Sequence, residues 1–423
     1  MGRTVRNRNE ARPRPVQKIE LSGKHLGWRL LAVILLLAIG ASALSYAFIT
    51  LFSSEPGWVE IKANEGDPSY AANFILLYNV GASGASASAE NKALTGLYTQ
   101  AATKAWQLFN NTQTAEDVPN VRYLNDHPNE TIAVDEALYK AFEQVARSGN
   151  RALYLAPVAE LYDNLFLCAD DVLTVDFDPL LNPELRAFFA ESAEFANDPA
   201  AINVELLEDN QVRLSISDAY LAYAEEQEIR DFIDFHWMLD AFVIDYLADA
   251  LAAQGFTYGT LSSYDGFARA LDNRAGNSYA YNLYDGQDGT VRQAAIMHYS
   301  GARSIVTLRG YPLNDLDTDR YYVRQDGQIH TAYLDVADGL SRAALADLVA
   351  YTSNMSCAEM LLQVAPLYIA DALAEDALTA LSGAGIQTIY CRGSEIRYTD
   401  PKLILSNLFD ADGIAYTATL MEP

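Results

Sequence analysis

The sequence predicts a mixed α/β (α+β) fold, with a largely antiparallel sheet covered by helices, behind one N-terminal transmembrane helix. Three observations predict it: a long uncharged apolar segment near the N-terminus, helical periodicity in the segments that follow, and then a series of short strand-like segments. Helices interleaved with antiparallel strands are typical of a sheet that buries one face against helices.

The apolar segment Leu30–Phe52 contains 23 residues and no charged side chain. As a helix rising 1.5 Å per residue, it is long enough to cross about 30 Å of hydrocarbon. Residues 1–29 hold eight Lys and Arg against two Glu, so the positive-inside rule predicts a cytoplasmic arm and an extracytoplasmic main domain on a single-pass protein of the cell membrane. A cleaved signal peptide ending near Ala41-Ser42-Ala43 is an alternative, although the apolar run continues past that point.

The rest of the chain is strongly acidic, with 21 Lys and Arg against 54 Asp and Glu, a net charge of −33. Such a surface repels nucleic acid, which excludes that class of partner. An apolar content of 50% and 26 Tyr predict a folded core. The three cysteines, Cys168, Cys357 and Cys391, form neither a disulfide framework nor a zinc motif, and leave open one disulfide or three free thiols.

Periodicity and turn residues predict the following order of elements. Asn73–Val80 is predicted as a buried strand, Glu90–Phe109 and Val134–Arg147 as helices, Asn203–Ile216 as a hairpin, and Asp231–Ala253 as a long helix that ends at Gly255. The next predicted strands are Thr257–Ser262, Ser278–Leu283, Gln293–Tyr299, Arg303–Arg309, Tyr321–Arg324 and Gln328–Asp335. Helices near Cys357–Leu373 and Ala374–Leu381 then precede a hairpin, Gln387–Tyr398.

The motifs of common enzyme classes are missing from the sequence. It contains no Gly-x-x-x-x-Gly-Lys-Ser/Thr loop, no Gly-x-Gly-x-x-Gly after a strand, no His-Glu-x-x-His and no Gly-x-Ser-x-Gly. The five histidines do not lie at metal-ligand spacing, and His236, within the predicted long helix, is more typical of a core histidine than of a ligand. Any enzymatic function must therefore be inferred from the order along the chain of segments that are individually less specific.

Several segments, taken in order, resemble the FAD:protein FMN transferase (ApbE) family over about Asn73 to Tyr398. Five segments carry the resemblance: Val121–Asn125, Tyr154–Val158, Asp234–Asp245, Asp326–Gly339 and Cys357–Gln363. The third is similar to the family's Asp-Leu-Gly-x-Ile-Ala-Lys-Gly-Tyr-x-x-Asp, and the fourth follows the rhythm of its Asp-Gly and Asp-Pro-x-Thr-Gly motifs. The predicted organisation is an arm (1–29), a transmembrane helix (30–52), a linker (53–72), an ApbE-like domain (73–400) and a C-terminal extension (401–423).

The resemblance implies an extracytoplasmic, Mg-dependent enzyme that cleaves FAD and attaches FMN to a Ser or Thr of a partner protein. Matched to the family's motifs, the residues at the cofactor-binding positions are Asp240, Ala241, Asp245 and Asp335. The family has a lysine and a glycine at the first two positions. An aspartate in place of the lysine puts an anion next to a diphosphate, which is unfavourable where water is excluded.

The resemblance also implies a magnesium site. Glu359 and Gln363 stand where the family has Asp and Thr, and their i, i+4 spacing puts both on one helix face. The third ligand would be the backbone carbonyl of Leu239. Both side chains offer oxygen, which Mg²⁺ prefers, but both are longer than the residues they replace.

The family's histidine position falls on Ala332, which cannot act in catalysis. His330 lies two residues away, on the same face if the segment is a strand, and is the candidate catalytic residue. Whether the protein is an enzyme is therefore left open by the sequence.

The function predicted from these features is that of a membrane-anchored extracytoplasmic protein resembling FMN transferases, with weakened or lost activity. FAD and Mg²⁺ are the cofactors that the resemblance implies, and the partner would be an acceptor protein of the cell envelope. The alternative is a non-catalytic binding or scaffold protein of the envelope that reuses the fold and meets a basic partner through its acidic surface. A third possibility is an unrelated adhesin-like domain.

Overall fold

The computed structural model describes residues 55–274, 276–286, 289–314, 317, 320–408 and 413–421. The described residues all belong to one compact unit, Ser54–Pro423. The basic arm and the predicted transmembrane segment Leu30–Phe52 lie outside the described residues. Within the described part, no helix is both long enough and apolar enough to span a membrane.

The described strands are short and lie mostly in the second half of the unit. They are β1 Gly57–Ile61, β2 Phe74–Val80, β3 Thr131–Ala133, β4 Ile202–Leu206, β5 Gln211–Ile216, β6 Gly259–Ser263, β7 Phe267–Ala270, β8 Tyr279–Asp285, β9 Arg292–Tyr299, β10 Arg303–Arg309, β11 Tyr321–Val323, β12 Ile329–Thr331, β13 Asp347–Thr352, β14 Gln387–Arg392, β15 Glu395–Tyr398, β16 Ile404–Ser406 and β17 Thr417–Leu420.

The described α-helices are concentrated between β2 and β6. They are α1 Ala87–Phe109, α2 Val121–Asp126, α3 Glu136–Ser148, α4 Ala156–Tyr162, α5 Asp171–Thr174, α6 Pro183–Asn197, α7 Asp218–Glu226, α8 Leu239–Ala253, α9 Cys357–Tyr368 and α10 Glu375–Gly383. Side-chain caps begin several of them: Asn120 accepts from the amide of Tyr123 at α2, and Ser356 accepts from the amide of Glu359 at α9.

The main sheet has the strand order β1-β2-β6-β7-β10-β13-β14-β15-β17. Its neighbouring strands are antiparallel except for the parallel pair β15 and β17. Smaller sheets have the orders β16-β9-β8, β3-β5-β4 and β11-β12. The strand β1 comes from the stretch predicted as a linker, and β16 and β17 come from the stretch predicted as a C-terminal extension.

Two hydrophobic clusters lie on opposite faces of the main sheet. Helices α1, α8 and α9 pack against one face and enclose the larger cluster, which includes Leu348 and Ala350 of β13. The small sheet β16-β9-β8 covers the other face, where Val349 and Tyr351 of the same strand pack with Met297. Successive strand residues point to opposite faces, so one strand contributes to both clusters.

The predicted fold class is confirmed in its coarse form: a mixed α/β domain with a large, mostly antiparallel sheet and covering helices. Both predicted hairpins are present, as β4–β5 and β14–β15. The start of the long helix is wrong, because α8 begins at Leu239 and not at Asp231. A short 3₁₀ turn, His236–Met238, comes first, and His236 has a φ of +46° that an α-helix does not accept.

The strands β7 and β13 were not predicted from the sequence. Strand β13 (DLVAYT) is buried at every position, so it lacks the alternation of apolar and polar residues that marks a half-exposed strand. The helix predicted to reach Leu373 ends at Tyr368, after Pro366 in its last turn. All three cysteines are free thiols.

Candidate functional site

A cavity of about 600 Å³ opens at the N-terminus of α8. Its lining includes four carboxylates and three cationic or titratable nitrogen side chains, together with aromatic rings. The polar members are Asp163, Asp234, Asp265, Asp317, His236, Arg309 and Arg320, and the aromatic ones are Trp237, Tyr264 and Tyr321. The size is suited to a small organic ligand.

The turn before α8 supplies one wall of this cavity. The backbone amide of His236 donates to Asp234 Oδ1 at 3.0 Å, and His236 Nε2 lies 2.9 Å from Asp163 Oδ1. Burial alone lowers the pKa of His236, but the carboxylates of Asp163 and Asp234 outweigh it, and the net pKa is raised. Burial raises the pKa of Asp234 to about 6. The wall therefore places the imidazole of His236 against the carboxylate of Asp163, a contact that favours the charged form of the imidazole.

His236 stands at a position where the ApbE motif has glycine. Its φ of +46° lies in the left-handed region, which is unfavourable for a side chain with a Cβ. The imidazole contact with Asp163 is therefore made at the cost of backbone strain, and such strain tends to persist at functional sites.

Asp240 lies beneath the cavity and is almost fully buried. Asn73 Nδ2 donates to its Oδ1 at 3.2 Å, and Ser263 Oγ donates to its Oδ2 at 2.8 Å. Burial, reinforced by the neighbouring Asp265, raises the pKa of Asp240 to about 8, while Arg320 and Ser263 act in the opposite direction. The raised pKa favours the neutral form of this carboxyl, where the sequence alone suggested an anion.

The two arginines of the cavity are already paired. Arg320 NH2 lies 2.5 Å from Asp265 Oδ2, and its NH1 donates to the carbonyl of Trp237 at 3.1 Å. Arg309 NH1 donates to Asp317 Oδ2 at 3.1 Å. Sequence reasoning missed both arginines and Asp163. Arg320 could have been identified from the sequence because it directly follows an acidic run that contains Asp317.

The other predicted cofactor-binding residues lie elsewhere. Ala241 is fully buried in the larger hydrophobic cluster. Asp245 accepts from the backbone amides of Cys357 at 3.0 Å and Ala358 at 2.8 Å, and also pairs with Arg269. It thus caps the N-terminus of α9 and ties that helix to α8.

Asp335 lies in a turn beside a different, smaller cavity of about 300 Å³. Its Oδ2 lies 2.7 Å from Arg342 NH1, and its Oδ1 accepts from the amide of Ala337 at 2.9 Å. The two cavities share Trp237 in their linings. Asp335 therefore does not line the cavity at α8.

The predicted magnesium ligands are only partly brought together. Glu359 and Gln363 are half-buried on α9, where Gln363 Nε2 donates to the carbonyl of Glu359 at 3.3 Å. Neither lines the cavity at α8, whereas Leu239 does. No group of three or more His, Cys, Asp or Glu residues arranged to hold a metal ion occurs in the described part of the chain. The donor set expected for Mg²⁺ is therefore not assembled by these side chains.

His330 is buried and does not line the cavity. Its Nδ1 lies 3.4 Å from the hydroxyl of Tyr162, and its Nε2 lies 3.3 Å from Asp178 Oδ2. Burial lowers the pKa of His330. Ala332, which stands at the family's histidine position, does line the cavity. The imidazole of His330 is therefore two positions away in the sequence from the residue that lines the cavity.

This lining fits a dinucleotide diphosphate poorly. The described lining holds more carboxylates than cations, both arginines are held in ion pairs, and the lysine position holds the carboxyl of Asp240. A diphosphate brought into such a site meets negative charge without a free cation.

The chain was compared with known proteins. No protein-family model matches it, and no curated protein matches it by sequence. Among solved structures, an ApbE protein from Thermotoga maritima superposes with a TM-score of 0.54 at 12% identity, covering 79% of this chain and 94% of that one.

The flavin transferase ApbE from Vibrio cholerae superposes with a TM-score of 0.53 at 15% identity, covering 84% of this chain and 98% of that one. A histidine-to-glycine variant of that enzyme gives 0.51 with the same identity and coverage. The resemblance predicted from the sequence is thus confirmed at the level of the fold.

Proposed function

We propose that this chain is a membrane-anchored extracytoplasmic protein that keeps the flavin-transferase fold but uses its cleft for binding, with FMN transfer weakened or lost. The observation that carries the proposal is Asp240. It stands where the family has a lysine; it is buried and held by Asn73 and Ser263, and its pKa is raised. A carboxyl, whether neutral or ionised, cannot supply the positive charge that holds a diphosphate.

The surroundings of Asp240 support the same conclusion. Arg320 and Arg309 are the cations nearest the cleft, and Asp265 and Asp317 already neutralise them. Freeing either arginine for a phosphate would leave a carboxylate without its partner in a partly buried site, which is costly. The cleft is therefore adapted to a ligand less negatively charged than FAD.

The test is a titration of the compact unit Ser54–Pro423, which contains both hydrophobic clusters, with FAD in the presence and absence of MgCl₂. Flavin fluorescence anisotropy reports binding, and the Vibrio cholerae ApbE serves as the positive control. We expect no saturable binding up to about 1 mM FAD, a limit equivalent to about 4 kcal/mol. Saturable, Mg-dependent binding would overturn the proposal and would favour an active transferase.

The membrane anchor is proposed from residues 1–52 alone. A fusion of residues 1–60 to alkaline phosphatase, which is active only after export, tests it. We expect phosphatase activity in the membrane fraction. In a matched fusion, the Arg and Lys residues of the arm are replaced by Gln; a smaller share of its molecules should insert with the phosphatase outside, and this activity should fall. Activity in the soluble exported fraction would instead indicate cleavage of a signal peptide.

A partner of basic character is the second part of the proposal. The net charge of −33 beyond the arm attracts cationic protein surfaces and raises their rate of association at low salt. A complex with the partner protein that persists at high salt would show that the attraction between the two proteins is not mainly electrostatic.

A further inference from the structure

An exposed aliphatic segment lies between α4 and α6. Leu167 is 81% exposed and Val172 is 80% exposed, the two highest values among the large hydrophobic side chains that the structure describes. Four further exposed aliphatic side chains follow by residue 181, namely Leu173, Val175, Leu180 and Leu181. We call residues 167–181 the aliphatic segment. Single apolar side chains are ordinary on a protein surface, but a concentration of them marks an interaction site.

Internal hydrogen bonds hold the aliphatic segment in this exposed form. Asp170 accepts from the backbone amides of Val172 at 3.0 Å and Leu173 at 3.2 Å, and so begins the short helix α5. Further along, Asp178 is 1% exposed and accepts from the amide of Leu180 at 2.8 Å. The acidic side chains thus organise the backbone of the segment while its aliphatic side chains remain in solvent.

Contacts from β11 and the turn after it attach the segment to the rest of the domain. The hydroxyl of Tyr322 donates to Asp171 Oδ1 at 2.9 Å, and the backbone amide of Gln325 donates to Asp171 Oδ2 at 3.0 Å. Val323, which directly follows Tyr322, is 51% exposed. It adds an aliphatic side chain from a distant part of the chain to the same neighbourhood. The exposed surface is therefore a fixed feature of the fold.

The chain around the aliphatic segment is acidic and lacks cations. Residues 152–185 contain seven Asp and Glu and no Lys, Arg or His. Asp170, Asp176 and Glu184 are exposed and have no cationic partner among the described ion pairs. A second copy of the chain would bring the same acidic segment and the same net charge of −33 beyond the arm. Because like charges repel, the surface disfavours a second copy and anionic lipid, and attracts a cationic partner.

The aliphatic segment begins beside the cavity at α8. Asp163 lines that cavity, and its side chain is 50% exposed. The 3₁₀ turn Asp163–Leu167 joins it to the first residue of the segment. At about 2 Å per residue, this turn covers about 8 Å. A partner bound to the segment therefore lies at the edge of the cavity.

We propose that the aliphatic segment is the docking surface for a cationic amphipathic helix of a partner protein. Such a helix presents an apolar stripe flanked by charge, which is complementary to aliphatic side chains flanked by carboxylates. Its apolar face packs on Leu167 and Val172, and its Lys and Arg side chains meet Asp176 and Glu184. The inference rests on the second part of the proposed function, a partner of basic character, and adds where that partner binds and what it presents.

The probe is a fluorescently labelled peptide of about 18 residues that places Leu on one helix face and Lys on the other. One control peptide has the same composition in scrambled order, and a second has Glu in place of Lys. Binding to the unit Ser54–Pro423 is measured by fluorescence anisotropy. We expect the probe to bind saturably and each control to bind at least roughly ten-fold more weakly, because the first lacks the apolar face and the second lacks the charge.

Matched variants test the apolar contact. The double variant Leu167→Ser, Val172→Ser should bind the probe roughly ten-fold more weakly than the parent. Ile404→Ser is the control, because it changes a 64% exposed side chain on β16, and it should bind the probe as the parent does. Thermal unfolding shows whether each variant is folded. If the double variant is not, Leu180→Ser provides the same comparison on the same surface.

A second pair of variants tests the charge. Asp176→Asn, Glu184→Gln removes two exposed carboxylates beside the segment, and Glu208→Gln, Asp209→Asn removes two from the exposed turn between β4 and β5. The net charge of the two variants is the same. We expect the first to weaken binding of the probe several-fold and the second to leave it near that of the parent, since exposed charges act mainly over short distances at physiological salt.

The outcomes separate this inference from the proposed function. Equal probe binding by the parent and all variants would overturn the docking surface and leave a basic partner standing, whereas no probe binding up to about 1 mM would overturn both. Sedimentation velocity without the probe and flotation with phosphatidylcholine vesicles test the other occupants. A dimer, or vesicle binding, that is lost in Leu167→Ser, Val172→Ser would assign the surface to a second copy or to lipid and would also overturn the proposal.

Discussion

Ser263 Oγ donates a hydrogen bond of 2.8 Å to Oδ2 of Asp240, at the base of the cavity where α8 begins. Asn73 holds the other oxygen of the same carboxyl at 3.2 Å. Two neutral donors thus hold both oxygens of this carboxyl. Burial and the neighbouring Asp265 raise its pKa and so favour its protonated form.

The protonation of Asp240 predicts a pH-dependent stability. The folded pKa of about 8 lies above the value of 3.8 for a free aspartate, so this group's stabilising contribution is complete below about pH 4. It is lost as the pH rises towards 8, because the unfolded chain releases a proton that the folded chain retains. The slope approaches about 1.4 kcal/mol per pH unit.

Replacement of Asp240 by Asn should remove that slope. As the pH rises from 5 to 8, we expect the free energy of unfolding of Asp240→Asn to increase relative to that of the parent, as measured by urea denaturation across this range. Parallel pH profiles for the two proteins would show that Asp240 is ionised in the folded state.

The left-handed backbone at His236 predicts an unusual effect of glycine. His236→Gly should be more stable than His236→Ala by about 1 kcal/mol, because both lose the contact with Asp163 but only glycine accepts a φ of +46° without strain. Thermal unfolding of the two variants measures the difference. Equal stability, or a more stable alanine variant, would contradict a strained backbone.

The pair Arg320–Asp265 predicts a double-mutant result. Arg320→Met should destabilise the fold by about 2 kcal/mol at pH 7, because it leaves Asp265 beside Asp240 without its cation. Adding Asp265→Asn should recover much of this loss. A double variant as unstable as the sum of the two single variants would show that the residues act independently.

The cap at α9 predicts a contrast between two aspartates of α8. Asp245→Ala should destabilise the fold by about 3 kcal/mol, since it removes the acceptor for two amides and the partner of Arg269. Asp249→Ala is the matched control, because Asp249 also lies near Arg269 but its side chain is 78% exposed, and its loss should cost about 0.5 kcal/mol or less. Similar losses for both variants would assign the effect to charge on α8 and not to the cap.

The order of segments in the sequence predicted the flavin-transferase fold because spacing between motifs survives when the residues change. Asp245 illustrates this: its place in the motif is kept, and the structure shows that it caps the next helix in the fold. Strands β5 and β8, whose burial alternates, were predicted, whereas β1, whose burial also alternates, was predicted as part of a linker. The fully buried β13 was missed because a strand covered on both faces has no alternation.

The sequence by itself determined the acidic charge, the apolar N-terminal segment, the mixture of helices and antiparallel strands, and the absence of the family's lysine and histidine. Tertiary structure decided how the remaining groups pair. The pKa of Asp240 is raised, Arg320 is neutralised and Asp347 Oδ1 has no hydrogen-bond partner because of neighbours that are distant in the chain. A pKa or a hydrogen bond depends on burial and on atoms within a few ångströms, and folding alone brings those atoms together.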